Sequence, residues 1–202
     1  MRLGVLGGTF DPVHNGHLFI AEEARSRFEL EKVLFVLSAR PPHKKEKISE
    51  VSDRLNMLEM ALYGNPHFEL SRIEVERAGI SYTVDTLREL QKIYGNDLKL
   101  FLIIGADELL NFKTWKLPEI ILSLCDVIAA TRPGFNSLRL LDSVPQVTAG
   151  GLPSKDKIFF METLALEVSS TEIRERVRLG KPFRYLVPEE VWRFISEKGL
   201  YA

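Results

Sequence analysis

The stretch that decides the fold runs from Gly7 to His17 and has the sequence GGTFDPVHNGH. An apolar run from Leu3 to Leu6 precedes it, and an amphipathic helical pattern follows it, which predicts a turn between a buried strand and a helix. In open α/β sheets, ligands bind at such turns beyond the carboxyl ends of the strands. Gly7 and Gly8 have no Cβ, so their backbone amides can approach a ligand closely.

The two histidines of this stretch indicate an anion site. Asn15 is predicted to be the N-cap of a helix that begins near Gly16, which places His17 in its first turn. His14 and His17 are three residues apart and can therefore share one face of that turn. The N-terminus of a helix also presents unpaired N–H groups and the positive end of the helix dipole. A polyphosphate is the ligand that this combination favours.

Other uses of these residues are less favoured. Zinc binding would need further ligands, and the sequence has no cluster of Cys or His to supply them, so no metal-binding residues are predicted. Ordinary surface histidines would not explain the glycines around them. The phosphate-binding patterns GxxxxGK[ST] and GxGxxG are both absent from this stretch.

Length and composition limit the possible classes of protein. The 202 residues predict one domain, 1–202, and the net charge of −1 creates no overall field that would attract nucleic acid or a membrane. The single cysteine, Cys125, can form no internal disulfide, which is typical of a reducing compartment. With no signal peptide or membrane-spanning stretch in the sequence, we expect a soluble, cytoplasmic protein. The sequence is compatible with a homo-oligomer but does not predict one.

Alternating strand and helix patterns predict a doubly wound parallel α/β sheet, followed by a C-terminal helical part at 169–202. Thr83 is a candidate N-cap, and Ser169 and Glu172 have the spacing of a capping box. Pro188 is predicted to lie in the first turn of the last helix, and Gly199 is predicted to end it. Predicted strands lie at 3–6, 32–37, 68–75, 98–104, about 127–131 and 157–161, and predicted helices lie at 52–62 and 83–94.

Two further segments carry groups suited to phosphate. The run Ser169-Ser170-Thr171-Glu172-Ile173-Arg174 combines hydroxyls, a helix N-terminus and an arginine one turn in, which predicts a second anion site in addition to a well-capped helix. The basic segment 39–50, which contains His43 and Lys44, follows a predicted strand. It is either a solvated surface loop or a loop that brings positive charge to the phosphates, and its place beside the first turn favours the second.

The motifs together resemble a known family. GGTFDPVHNGH resembles the HxGH form of the nucleotidyltransferase superfamily, and in full it resembles the adenylyltransferases that build nicotinate or nicotinamide dinucleotides. SSTEIR is similar to the SSTxIR signature of that superfamily, which holds the triphosphate from the side opposite the histidines. SYTVDTL and GADELLNFKTW resemble segments of bacterial nicotinate mononucleotide adenylyltransferases. The resemblance implies a Rossmann-like nucleotidyltransferase fold, in which 169–202 completes the ATP site.

The resemblance also implies roles for individual residues. Trp115 stacks on the pyridine ring, Thr83 with nearby amides receives the carboxylate, and Asp107 holds a ribose hydroxyl. His43 and Lys44 approach the phosphates and Arg132 lies near the nucleotide, whereas Lys116 replaces an aromatic residue found in some relatives. The implied catalytic residues are His14, His17, Lys44 and Arg174. The implied ATP-binding residues are Gly7, Gly8, Thr9, Phe10, His14, His17, Gly105, Asp107, Arg132, Ser170, Thr171 and Arg174.

The expected reaction is adenylyl transfer from ATP to nicotinate mononucleotide, which releases pyrophosphate. The attacking phosphate is already anionic, so alignment and charge neutralisation suffice and no general base is needed. Mg²⁺ is expected to arrive with ATP. The alternatives are the same reaction on the amidated mononucleotide or on phosphopantetheine, and a nucleotide-sensing module without turnover. Phosphopantetheine is disfavoured because SYTVDTL and Trp115 would then have no purpose.

Overall fold

The computed structural model of the protein describes residues 1–41, 48–77, 79–95, 97–131, 141–146, 149, 154–164 and 167–202. Three residues with predicted roles, His43, Lys44 and Arg132, lie outside these ranges. Residues 136–155 match no motif of the resemblance, and of them the structure describes 141–146, 149 and 154–155.

The described strands form one six-stranded sheet in the order β3-β2-β1-β4-β5-β6. Every neighbouring pair is parallel, which confirms the predicted doubly wound parallel α/β class. The strands are β1 (Arg2–Gly8), β2 (Lys32–Leu37), β3 (Phe68–Ser71), β4 (Lys99–Gly105), β5 (Cys125–Thr131) and β6 (Ile158–Glu162).

Helices cover both faces of this sheet. The α-helices of the described ranges are α1 (Asn15–Arg27), α2 (Val51–Leu62), α3 (Ile73–Glu76), α4 (Thr83–Tyr94), α5 (Ala106–Leu110), α6 (Pro118–Leu124), α7 (Ser170–Arg178) and α8 (Glu189–Lys198). Short 3₁₀ turns lie at Phe112–Thr114, Ser154–Lys157 and Arg184–Leu186. None of the helices in these ranges combines the length and apolarity needed to cross a membrane.

The central strands are buried on both faces because their sequences are almost continuously apolar, as in β2 (KVLFVL). One core cluster joins the sheet to α4 and α6 through Val84, Leu87 and Ile121. The other cluster joins the opposite face to α1 and α2, and it also contains Ile173 of α7 and Ile195 of α8. The C-terminal helices therefore share a core with the first helix of the chain.

The strand order reverses direction at β1, which lies between β2 and β4. A crevice opens at such a switch point, beyond the carboxyl ends of the two strands where the chain departs to opposite faces. Here those ends are Gly7-Gly8 of β1 and Gly105 of β4, two of the predicted nucleotide-binding segments.

Several predicted boundaries are wrong, and each has a local cause. The third strand ends at Ser71 and not at position 75, because Ile73 lies on the buried side of the short helix α3. The fifth strand begins at Cys125, two residues before the predicted start. Pro188 is the N-cap of α8, one residue before the helix begins, while Gly199 ends it with φ 65°, as predicted.

Candidate active site

The first turn of α1 is capped by the two histidines and not by Asn15. His14 is the N-cap, and its Nδ1 accepts the backbone N–H of His17 at 3.3 Å. In return, the backbone N–H of His14 donates to Nδ1 of His17 at 3.2 Å. The predicted Asn15 cap is wrong because Asn15 is already the first residue of the helix, and its side chain donates to the Tyr185 carbonyl instead.

This reciprocal cap fixes which nitrogen carries the proton in each neutral imidazole. Since both Nδ1 atoms accept amide hydrogens, both neutral rings hold their proton on Nε2. The two rings are stacked, with centroids 3.6 Å apart and planes 22° apart. The HxGH motif thus places two stacked imidazoles, each with an Nε2–H group, at a helix N-terminus.

Burial keeps one of these donors uncharged. His14 is 7% exposed, and desolvation lowers its pKa to about 4, although the hydrogen bond to its own backbone acts in the opposite direction. At neutral pH, His14 therefore acts as a neutral hydrogen-bond donor and not as a cation.

The turn between β1 and α1 is shaped by close packing. Phe10 has φ 48°, in the left-handed region, and its buried ring lies edge-on to His17 with centroids 5.0 Å apart. A Cβ on Gly16 would lie 3.0 Å from Nδ1 of His14, so the small residue between the histidines lets the imidazole pack on the helix. A Cβ on Gly7 would meet nothing within 4 Å, which leaves open space above the end of β1.

A cavity of about 280 Å³ lies beside the histidine turn. Its lining includes His14 and Gly16 from the turn, together with Gly105 and Asp107 from the end of β4. The rest of the lining is mostly apolar, as at Ile20, and also contains Thr131 and Thr163. Three of the predicted nucleotide-binding residues thus line one space at the switch point.

The N-terminus of α5 lies next to this cavity. The carboxylate of Glu108 accepts the Gly105 N–H at 2.5 Å and so caps the helix, whereas Asp107 lines the cavity. Asp107 is therefore the carboxylate of this pair that can reach a ligand in the cavity.

The second predicted anion site lies at the start of α7. Ser169 is the N-cap and its hydroxyl accepts the Glu172 N–H at 3.1 Å, as predicted. The side chain of Glu172 is paired with Arg176 at 2.8 Å. Thr171 accepts a hydrogen bond from Arg174 at 3.3 Å, which holds the guanidinium at the first turn of the helix.

The two predicted anion sites meet at one turn. Arg174 Nη1 donates to the Asp11 carbonyl at 2.9 Å, and the Ser170 hydroxyl donates to the Pro12 carbonyl at 2.8 Å. The first turn of α7 is therefore attached directly to the GGTFDP segment that leads into the histidine cap.

The predicted pyridine-binding segments also lie side by side. Lys116 bridges them, because its Nζ lies 2.8 Å from Asp85 Oδ2 and 4.3 Å from the centre of the Tyr82 ring. Trp115 is half-buried and packs on Phe112 with ring centroids 5.2 Å apart. The predicted Thr83 cap is wrong: Tyr82 is the N-cap of α4, without a side-chain cap bond, and Thr83 is the first helical residue.

A buried arginine that the sequence did not single out supports the turn. Arg54 of α2 is 1% exposed and donates to the carbonyls of Thr9 at 2.9 Å, Ser38 at 2.8 Å and Ser49 at 3.0 Å. Sequence reasoning missed it because an arginine in an amphipathic helix is usually a surface residue. Its position within an otherwise apolar face was the only available signal.

In the part of the chain that the structure describes, no three His, Cys, Asp or Glu side chains lie close enough together to hold a metal ion. Cys125 is buried in β5, and burial raises the pKa of its thiol to about 12.

Comparison with known proteins identifies the class to which this fold and turn belong. The family model described as cytidylyltransferase-like matches residues 5–176. A solved structure with the same fold is the Plasmodium falciparum nicotinic acid mononucleotide adenylyltransferase complexed with NaAD, with a TM-score of 0.78, 16% identity, and coverage of 99% of this chain and 97% of that one.

Curated relatives make the assignment more specific. A Moorella thermoacetica protein named "probable nicotinate-nucleotide adenylyltransferase" is 48% identical, over 99% of this chain and 91% of the relative. A protein of the same name from Thermoanaerobacter is 44% identical, over 100% and 94%. The chain therefore belongs to the cytidylyltransferase-like family and, within it, to the nicotinate-nucleotide adenylyltransferases.

Proposed function

We propose that this protein transfers the adenylyl group of ATP to nicotinate mononucleotide, giving nicotinate adenine dinucleotide and pyrophosphate, as a step of NAD biosynthesis. The observation that carries the proposal is the meeting of two anion-binding helix starts at residues 11 and 12. One start presents the paired imidazoles, and the other presents Arg174. The charge of a triphosphate is spread along its chain of three phosphate groups, so two such sites can bind it from opposite sides.

The chemistry that this arrangement performs is alignment and charge stabilisation. The phosphate of the mononucleotide attacks the α-phosphorus of ATP, the bond to the β-phosphate oxygen breaks, and pyrophosphate leaves with the electron pair. Negative charge develops on the phosphoryl oxygens, and the Nε2–H groups of His14 and His17 would bind it, since both Nδ1 atoms are engaged in the helix cap. The neutral form of His14 suits this task, since a hydrogen-bond donor is required and no proton is transferred.

The rest of the nucleotide would lie at the switch point. The apolar part of the cavity beside His14 suits a purine ring, and the exposed carboxylate of Asp107 suits the ribose hydroxyls. On the other side, the ring of Trp115 would stack on the pyridine, and Thr83 with neighbouring amides would receive its carboxylate. Lys44 and His43 of the basic segment, and Arg132 after β5, are assigned to the phosphates and the nucleotide by sequence alone.

Mg²⁺ would enter on the phosphates of ATP. Phosphate oxygens and water are the ligands that it prefers, and it needs few protein ligands. Its chemistry would be to neutralise the phosphates of ATP and favour the departure of pyrophosphate. We expect the reaction in the cytoplasm and leave the oligomeric state open.

The direct test is release of pyrophosphate from ATP by the purified protein, with and without nicotinate mononucleotide. The proposal requires release that depends on the mononucleotide and stops when EDTA is added. Parallel reactions with nicotinamide mononucleotide and phosphopantetheine identify the acceptor. ATP binding without mononucleotide-dependent release would instead indicate a nucleotide-sensing protein.

A further inference from the structure

Asp11 is the residue at which three distant parts of the chain meet. Its side chain is 2% exposed, and Oδ1 accepts the Tyr201 hydroxyl at 2.7 Å. Oδ2 accepts the backbone N–H of Ser49 at 3.3 Å, and the main-chain carbonyl accepts Arg174. Every oxygen of Asp11 is thus engaged by a group from a different segment, so this buried acid is a structural junction.

Tyr201 reaches Asp11 because the end of α8 is held in place. Lys198 forms an ion pair with the buried Asp53 of α2, and Gly199 turns the chain in the left-handed conformation. Tyr201 itself has φ 67°, which is unusual for a residue other than glycine. Its ring packs against the same core cluster as α1 and α2, so its hydroxyl is the part that points to the turn.

The hydroxyl of Tyr201 stays protonated and donates a hydrogen bond to Asp11. Burial and the neighbouring Asp11 carboxylate both raise its pKa above the usual value for a tyrosine. It therefore keeps its proton over the working pH range, and the hydrogen bond to Asp11 is charge-assisted.

We propose that Tyr201 is a positioning residue for adenylyl transfer, which fixes Arg174 at the phosphate site by holding Asp11. The inference rests on the proposed function, since it assigns Arg174 to ATP. Two hydrogen bonds connect Tyr201 to Arg174. The Tyr201 hydroxyl donates to the carboxylate of Asp11, and Nη1 of Arg174 donates to the main-chain carbonyl of Asp11. If the carboxylate loses its anchor, the carbonyl that orients the guanidinium can shift.

The test is Tyr201→Phe, which keeps the packed ring and removes only the hydroxyl. A displacement of about 1 Å in a positioned group can cost about a hundredfold in rate. Since Tyr201→Phe leaves the other anchors of Asp11 in place, we expect kcat/KM for ATP to fall about tenfold. The KM for nicotinate mononucleotide should change less than about twofold, because its pocket lies at the other segments.

Two controls separate positioning from a general loss of stability. Tyr63→Phe removes a hydroxyl from a residue that is 92% exposed and should leave all kinetic constants unchanged. Ile121→Val weakens the core cluster on the opposite face of the sheet. It should lower the melting temperature without the selective loss in ATP kinetics.

A double-variant comparison tests the path itself. In an Arg174→Ala background, Tyr201→Phe should cost less than about twofold in kcat/KM for ATP, because the group that it positions is gone. Equal costs in both backgrounds would overturn the path, and wild-type kinetics in Tyr201→Phe would overturn the inference. In either case a wild-type protein that releases pyrophosphate keeps the proposed function, whereas an inactive wild type would reject that function instead.

Discussion

Acidification should destabilise this protein through His14, and the size of the effect follows from its burial. Desolvation lowers the pKa of His14 to about 4 in the folded state, whereas in an unfolded chain it returns to about 6.5. Between these values the unfolded state binds more protons, so the free energy of unfolding decreases as the pH falls from about 6.5 to about 4. Above that range the contribution is fully present.

The shift of about 2.5 pKa units corresponds to about 3 kcal/mol over the whole range. From about pH 7 to about pH 5, the part that His14 contributes is about 2 kcal/mol. His14→Asn removes the titration and keeps an N-cap, because asparagine is among the best residues at that position. The variant should therefore be folded at neutral pH. On acidification from about pH 7 to about pH 5, its free energy of unfolding should fall by about 2 kcal/mol less than that of the wild type.

The measurement is urea unfolding followed by circular dichroism at about pH 7, 6 and 5 for the ligand-free wild type and His14→Asn. His67→Asn is the matched control, since His67 is an exposed histidine in the turn that precedes β3. If the wild type and His14→Asn lose the same free energy of unfolding between about pH 7 and 5, the neutral, buried His14 is refuted.

The other predictions concern the reaction and the cap of α7. His17→Ala should lower kcat by about 10²- to 10³-fold, as expected for the loss of one oriented donor, and near-normal turnover of the folded variant would reject its role. Arg174→Ala should raise the KM for ATP. Unchanged ATP kinetics would mean that the start of α7 is only a capped helix and does not bind the triphosphate. Ser169→Ala should cost about 1 kcal/mol in the free energy of unfolding, measured in urea, since its hydroxyl caps α7. Trp115→Ala should weaken both mononucleotides similarly, whereas Thr83→Val should selectively lower kcat/KM for nicotinate mononucleotide; equal wild-type efficiency on the two mononucleotides would contradict the preference for the acid.

Local sequence patterns predicted most of the sheet. The run Lys32–Leu37 is continuously apolar after Lys32, and it forms β2 with those same bounds. The apolar pattern that begins at Phe68 does not show where the strand ends. Ile73 is buried in the helix α3, and a single apolar residue five positions after Phe68 is compatible with a strand or a helix. The sheet class was predictable from the alternation of elements, while the exact ends depended on packing.

The histidine turn shows where reasoning from propensities fails. Asparagine is a good N-cap, so Asn15 was the natural prediction, yet His14 performs that role because its ring is held by His17 and has space beside Gly16. The motif predicts an anion site, and that role stays a prediction. It did not reveal that the two imidazoles cap the helix.

The junction around Asp11 could not be derived from sequence. Its partners Ser49, Arg174 and Tyr201 are separated from it by 38, 163 and 190 positions, and only the folded chain brings them together. Arg54 was missed because an arginine in an amphipathic helix is usually a surface residue, and its acceptors are backbone carbonyls, which carry no sequence signal. His43, Lys44 and Arg132 lie outside the described residues, and their roles stay predictions.

The long-range hydrogen bonds at the turn between β1 and α1 also connect this turn to local unfolding of the C-terminal helices. Residues 170, 174 and 201 bind residues 11 and 12, so α7 and α8 cannot detach without releasing the turn. By linkage, a nucleotide that binds only the intact turn must oppose that detachment. Backbone amides of α8, a helix with no residue assigned to the nucleotide, should therefore exchange with deuterium more slowly when ATP is bound.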